Sequence, residues 1–407
     1  LIPNLHIVFT REITKIMSNE YDFSDIAPFD NSQFKEKMEA LVQEPGFEHA
    51  VRYVMPEIDF NEFVKSLLAV PDKDTFQIQV MRPFLDLLMN KTTDGITYNG
   101  IDNVARDRNY TFITNHRDIV LDASFLNYCL IKSNYRTSEV AIGNNLLIYD
   151  WITDLVKINK SFIVKRNLRL TQALEAAKQL SAYIHHAILE KHESVWIAQR
   201  EGRAKDSNDV TQESLIKMMA LAGGGTVARN LMDINLMPVS ISYEYDPNDY
   251  LKAREFLLKK LDPNFKKCQH DDLLSMETGL LGYKGRVHFE FSPCLTPMVE
   301  PLASITDKIE VVKGVCAMVD RAIHSGYKIF PVNYIAYDML NDSQEYGNEY
   351  TSEDREAFIH YINRQLDKVK IPDITSENRD YMYRMMLQMY ANPLRNKLLA
   401  KEIGCKD

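Results

Sequence analysis

Thr111-Phe-Ile-Thr-Asn-His-Arg-Asp-Ile-Val-Leu-Asp122 is the stretch on which the reading of this chain turns. A short apolar run ends in Asn115 and His116, and Asp122 follows within about two helical turns, at the head of a further apolar segment. Such a run reads as a strand end feeding a helix start. That geometry puts a histidine at a pocket mouth with a carboxylate close enough to hold its ring. Histidine suits proton transfer near neutrality, and a carboxylate on one ring nitrogen fixes the tautomer. No serine or cysteine motif lies nearby to be activated. The simplest chemistry is therefore a base acting on a substrate's own hydroxyl. An isolated His–Asp pair is more often structural than catalytic, so its weight depends on what accompanies it.

One competing motif falls away. His116-Arg117-Asp118 has the letters of a protein-kinase catalytic loop, but that loop needs an Asn five residues after its Asp, where this chain has Ala123. There is no Gly-rich loop of kinase spacing upstream and no Asp-Phe-Gly downstream.

The chain has 407 residues, enough for a large core, with 45% hydrophobic and 26% charged residues, as in ordinary globular proteins. A formal net charge of −9 argues against a nucleic-acid partner held by bulk electrostatics. Cys129, Cys268, Cys294, Cys316 and Cys405 show no paired spacing, which suggests a reducing compartment and neither a disulfide framework nor a zinc site. No apolar run approaches 18 residues, so no membrane-spanning helix is expected. The N-terminus has no basic region followed by a long apolar segment, so no secretory signal is expected there; a leader before Leu1 stays open.

Residues 1–100 read as a helical N-terminal domain, with helical spacing over 32–42 and 59–70, a third helix over about 75–90, and turns at Asp94-Gly95 and Asn99-Gly100. From 101 to 302 the pattern changes to strands at 110–114, 139–142, 161–164, 194–198, 237–243 and 286–291. Helical stretches at 121–132, 169–191, 212–222 and 250–261 lie between them. Alternation of this kind predicts an α/β fold: a mixed central sheet flanked by helices, with a helical N-terminal domain and a helical C-terminal extension over 303–407. In that extension 354–368 and 376–390 are the clearest helices. Ligands of such sheets bind beyond the carboxyl ends of strands, where the His116, Lys165-Arg166 and Glu201 segments would share a rim.

Three further segments carry chemistry. Ser161-Phe-Ile-Val-Lys-Arg-Asn167 ends an apolar strand in two cations. Ile197-Ala-Gln-Arg-Glu-Gly-Arg-Ala-Lys-Asp206 ends another in a turn holding Arg200, Glu201, Gly202, Arg203 and Lys205. Leu236-Met-Pro-Val-Ser-Ile-Ser-Tyr243 is an apolar strand led by Pro238. Cations at strand ends around a histidine suit a phosphate monoester, since Arg forks onto phosphate oxygens and Lys adds a mobile point charge.

Taken in order, these segments resemble the four motifs of the glycerolipid acyltransferase family, the glycerol-3-phosphate and 1-acylglycerol-3-phosphate O-acyltransferases. Asn115-His116 through Asp122 is similar to the first motif, Phe162-Ile-Val-Lys-Arg166 to the second, Glu201-Gly202-Arg203-Ala-Lys205 to the third, and Met237-Pro238-Val239-Ser240 to the fourth. Arg286-Val-His-Phe-Glu-Phe-Ser-Pro293 resembles the family's later strand leading to a proline. The resemblance covers roughly residues 100–300, with motif order preserved. Two departures stand out. Five residues, where the family has four, separate His116 from Asp122. Either a bulge absorbs the extra one or Asp118 is the partner, and the apolar helix after Leu121-Asp122 favours Asp122. Arg203 also follows Gly202 directly, one residue early.

What the resemblance implies is acyl transfer from a thioester to a hydroxyl in phospholipid biosynthesis, with His116 as base and Asp122 orienting its ring. Substrate binding would fall to Arg166, Lys165, Glu201, Gly202, Arg203 and Lys205, with Asn115, Arg117 and Pro238 beside them. It implies no cofactor and no metal, since thioester attack needs none. The donor would be an acyl-carrier-protein or coenzyme A thioester. The acceptor would be glycerol 3-phosphate, favoured by the N-terminal helices, or lysophosphatidate, with an aminolipid acceptor open because of the altered third motif. A cytoplasmic protein, peripheral on the inner face of a membrane, is the matching expectation. A lipid-binding scaffold has no need of the His–Asp set, and a hydrolase has no need of the cations.

Four other features are weighed against plainer readings. Residues 249–262 form a basic amphipathic helix, with Lys266 and Lys267 beyond, that suits either an anionic membrane surface or packing on the sheet. The Met- and Tyr-rich run at 381–390 reads as core before it reads as an acyl-chain surface. Ala222-Gly-Gly-Gly-Thr226 reads as a helix stop. His185 and His186, adjacent on a helix, point in different directions and do not suit a metal.

Overall fold

Phe112 and Ile113 lie at the centre of the sheet because nothing in their strand can face water. A computed structural model describes residues 21–404. Its seven strands are β1 (Ile96–Asn99), β2 (Thr111–Thr114), β3 (Glu139–Gly143), β4 (Ser161–Val164), β5 (Val195–Ala198), β6 (Leu236–Tyr243) and β7 (Val287–Phe291). Their order across the sheet is β1-β7-β6-β2-β5-β3-β4. β6 and β7 pair antiparallel and all other neighbours pair parallel. The mixed sheet flanked by helices is the fold class expected, and the six expected strands are present with ends displaced by one residue at most.

β1 is the strand that went unread. Its four residues lie between turns at Gly95 and Gly100, both left-handed (φ 106° and 67°), and so short a segment carries no period of its own. It belongs to the sheet, although its residues fall inside the range read as N-terminal.

The parallel strands are covered on both faces, so their sequences are apolar without polar alternation. Ile113, Val195 and Ile197 enter one core with Leu180, Ile184, Val315 and Val319. Phe112, Trp196 and Val239 enter the other with Leu121, Phe125 and Leu88. Successive residues thus face opposite layers, as the pleat dictates. Pro238 is paired with Ile113 on the β2 side. The β7 ladder starts one residue later, at Val239, so the missing N–H breaks nothing there.

The N-terminal helices Asn31–Leu41, Pro45–Val54 and Phe60–Leu68 form an apolar cluster that takes in Trp151, Leu155 and Ile158 of the helix Asp150–Ile158. The expected third helix is broken in two: Lys73–Phe76 passes through a wider π turn at Gln77–Met81 into Arg82–Thr92. Leu85 and Leu88 of the second piece reach the sheet. The first twenty residues of the expected N-terminal domain, where the signal-sequence expectation falls, lie outside the described residues.

In the C-terminal region Lys308–Gly326 packs under the sheet. Pro331–Asn341, Ser352–Asp367 and Ser376–Gly404 build a further core with Ala253 and Leu257 of Asp249–Leu261. Met382, Met386, Met389 and Tyr390 are buried, as core residues are. The last helix runs past the expected end at 390, through Pro393, because its far side is also anchored: Leu394 and Ala400 are buried and Asn392 donates to the Asp206 carbonyl at 2.8 Å. Helix Asp249–Leu261 has its apolar side covered by these helices, with Lys252 buried against Asp246 and Lys259 paired with Glu255. Ala253 and Leu257 are its buried apolar residues, and Leu261 at its end is exposed. Among the described residues no helix is long and apolar enough to cross a membrane.

Candidate active site

The chain leaves β2 to build β3 and β4 on one side of it and returns to β6 on the other. β2 therefore lies where the strand order reverses, and a crevice opens beyond its carboxyl end. Asn115 is the first residue there, fully buried, and its amide clasps β6: Nδ2 donates to the Ile241 carbonyl at 2.9 Å and Oδ1 accepts from the Ile241 N–H at 2.8 Å. The side chain thus replaces two ladder bonds and sets where His116 emerges.

His116 Nδ1 lies 2.8 Å from Asp122 Oδ2. That oxygen also accepts the backbone N–H of Arg117 at 2.6 Å and of Asp118 at 3.0 Å. Held by two amide donors, Oδ2 is the acceptor, so Nδ1 carries the proton and Nε2 is left for the cleft. Asp118 has a different task. Its Oδ1 accepts from the N–H of Val120 at 2.9 Å and of Leu121 at 2.8 Å, closing the turn that starts helix Leu121–Lys132. His116 thus pairs with Asp122 across the five intervening residues, and Asp118 is not its partner. Burial first, and the Asp122 charge second, push the Asp118 carboxyl above its ordinary range. Gly279 lets a neighbouring helix close over it: a Cβ there would stand 2.0 Å from Asp118 Oδ2. Tyr243, buried beside both carboxylates, is pushed well above the ordinary tyrosine range, by burial first and then by the Asp122 and Asp118 charges.

His116 lines a cleft of ≈ 600 Å³. Its ring meets Trp196 edge-on, with centroids 5.9 Å apart. Among the described residues six cations line the cleft, Lys165, Arg166, Arg200, Arg203, Lys205 and Lys267, against the carboxylates of Glu201 and Asp272. Ile142, Val164, Ala173, Ala177, Leu180 and Met218 give it an apolar stretch of wall, beside the polar Asn145, Asn167, Gln212 and Ser214. Arg166 crosses the end of β3, where Gly143 leaves room for it, and stands 3.6 Å from Glu201 Oε1. Lys165 is held by Asp25 and by Gln179. Gly202 is left-handed at φ 68°, which turns the chain toward Arg203. Arg203 is buried to 7% exposure, and its Nη1 has no hydrogen-bond partner among the described residues. A buried guanidinium with an unused donor at a cleft wall suits an incoming anion. Lys205, paired with Glu255 at 2.9 Å, is pushed down to about 7 by burial first and by Arg203 second.

Three residues read as substrate-binding lie elsewhere. Arg117 points away from the cleft, with Nη2 2.8 Å from Asp209 and the guanidinium over Tyr327. Asn115 and Pro238 are buried in the sheet. Conversely, Trp196, Arg200, Lys267 and Asp272 line the cleft without having been singled out for it. Arg200 lay in the quoted third segment, and Lys267 was grouped with the surface lysines. Trp196, in mid-strand, carried no local signal. His185 is bonded to two carbonyls, Ser181 at 3.0 Å and Asn230 at 3.1 Å, and His186 to Glu190, as structural histidines are. Helix Glu213–Met219 ends at Ala220, ahead of the glycine run at 223–225, which leads to the next helix, capped by Thr226.

Residues 95–242 match the family model described as Acyltransferase. The matched stretch contains β1 to β6 except the last residue of β6, and all four motif segments. It supports the resemblance at the level of an acyltransferase and points the chain to acyl transfer. No curated protein sequence matches the chain. Among solved structures it is similar to the 1-acyl-sn-glycerophosphate (LPA) acyltransferase PlsC from Thermotoga maritima, at 12% identity and a TM-score of 0.33, over 70% of this chain and 95% of that one.

The amide clasp is testable without substrate. Asn115→Ala leaves the N–H and carbonyl of Ile241 unpaired in the sheet, at about 1–3 kcal/mol each. Its urea midpoint should fall accordingly; an unchanged midpoint would mean that the clasp does not anchor the loop.

Proposed function

We propose that the protein is an O-acyltransferase that moves a fatty acyl group from a thioester to a hydroxyl of a phosphate-bearing glycerol, with glycerol 3-phosphate as first acceptor and lysophosphatidate as second. The observation that carries this reading is that His116, braced by Asp122, lines the same cleft as Arg203, whose buried Nη1 has no hydrogen-bond partner among the described residues. The cations suit the acceptor phosphate, and the apolar wall suits the acyl chain.

The step follows from the site. The acceptor hydroxyl lies against Nε2 of His116, which takes its proton as the oxygen attacks the thioester carbonyl carbon. The carbon–sulfur bond then breaks, and the thiolate leaves with the proton from the imidazolium. The products are an ester and a free thiol. Asp122 stabilises the imidazolium between these events and holds the ring in place. Arg203 and Lys205 hold the phosphate, while Arg166 with Glu201 borders the mouth. The donor is a coenzyme A or acyl-carrier-protein thioester, and the protein works at the cytoplasmic face of a membrane.

Thiol release tests the reading. Palmitoyl-coenzyme A and palmitoyl-acyl carrier protein are each offered with glycerol 3-phosphate, with lysophosphatidate or with no acceptor. Release should require an acceptor and should fall about 10²–10⁴-fold in His116→Ala and in Asp122→Asn, with the fold retained. Release without an acceptor would make the protein a hydrolase, and an active, folded His116→Ala would overturn the mechanism.

Lys205 adds a pH dependence. Below about 7 it is an ammonium and binds phosphate; above that it is neutral and contributes less. The KM for the phosphate acceptor should therefore rise, by about tenfold, as pH climbs through 7, and Lys205→Arg should flatten the rise. An identical rise in the variant would assign it to another group.

A further inference from the structure

Helix Leu170–Leu189 starts at the mouth of the cleft. At about 100° per residue, Leu180, Ala173, Ala177, Leu170 and Leu174 fall on one stripe roughly 120° wide, with no polar residue inside it over the first three turns. Ala173, Ala177 and Leu180 line the cleft. Leu170 and Leu174 continue the stripe outside it, 89% and 52% exposed. Leu170 is the most exposed large apolar side chain among the described residues. An apolar face that runs out of a binding cleft into water marks a contact surface.

Its surroundings narrow the partner. Arg169, exposed next to Leu170, has no ion-pair partner among the described residues. The neighbouring rim loop, after β3, brings Leu146 to the cleft and leaves Tyr149 58% exposed. Leucines with an aromatic and an unpaired arginine beside them match the apolar boundary and anionic surface of a lipid bilayer. The helix at 249–261, whose sequence suggested such a role, turns Ala253 and Leu257 into the C-terminal core instead.

We propose that Leu170, Leu174 and Arg169 form the surface that rests on an anionic bilayer. The acyl chain would then pass between cleft and bilayer along Ala173 and Ala177 without crossing water. The proposal rests on the acyl-transfer reading, and its test is kept apart from turnover.

The full chain is floated with mixed phosphatidylcholine–phosphatidylglycerol vesicles and with pure phosphatidylcholine vesicles, in the absence of any thioester. Wild type should float with the mixed vesicles. The double variant Leu170→Ser with Leu174→Ser should partition at least about tenfold more weakly. Arg169→Glu should weaken binding to the mixed vesicles more than to the neutral ones. Thiol release from a water-soluble short-chain thioester, where wild type shows it, should be unchanged in the double variant. Absence of wild-type flotation, or equal flotation of wild type and double variant, would overturn the proposal whether or not the protein transfers acyl groups. Unchanged flotation with release lost only from acyl-acyl carrier protein would make this face a protein-docking surface instead.

Discussion

One carboxylate oxygen organises the site. Asp122 Oδ2 accepts the N–H of Arg117, the N–H of Asp118 and Nδ1 of His116. The two amides belong to the loop that carries the histidine, so the same atom that orients the ring also shapes the loop beneath it. Asp122 is fully buried in the first turn of a helix that is itself buried on nearly every side, so this oxygen cannot follow the loop if the loop moves. The ring is held by a part of the fold that does not yield, which is what a proton-transfer group requires if its reach is to stay within a hydrogen bond.

The other buried polar groups around it point the same way. Asn115 fastens the loop to β6 on one side. Asp118 closes its end onto the helix. Arg117 ties its middle to Asp209, which also accepts from Tyr327 at 2.7 Å, at the end of helix Lys308–Gly326. The C-terminal region thus reaches the histidine loop through Tyr327, which donates to Asp209 and lies under the Arg117 guanidinium, and its packing supports the site although none of its described residues lines the cleft. Because each of these groups is buried, removing one partner strands the other, and such networks hold one conformation firmly.

Much of this could be read from the amino-acid order, for physical reasons. Strands covered on both faces are continuous apolar runs ending in polar turns, so β2, β4, β5 and β6 and the basic turns after β4 and β5 were legible. Strand direction then placed His116, Arg166 and Arg203 on one rim without knowledge of a single contact. Other features depend on side-chain direction and were not legible. Arg117, next to the histidine, reads like a substrate ligand, but its neighbours point to opposite sides of the loop, and only the fold reveals Asp209 beneath it. Trp196 faces the histidine across a gap of eighty positions in sequence. β1 was too short to show a period. The last helix runs beyond 390 and through Pro393, because the packing of Leu394 and Ala400 outweighs the cost of a proline within a helix.

The central claim is that Asp122 holds the proton on Nδ1 of His116 and leaves Nε2 bare toward the cleft. Nitrogen-15 NMR of the histidine rings, with His116 assigned from the spectrum lost in His116→Ala, measures this directly. The neutral ring should carry its proton on Nδ1, and Asp122→Asn should disturb that preference. A neutral His116 with its proton on Nε2 would contradict the claim, because the nitrogen facing the cleft could then accept nothing.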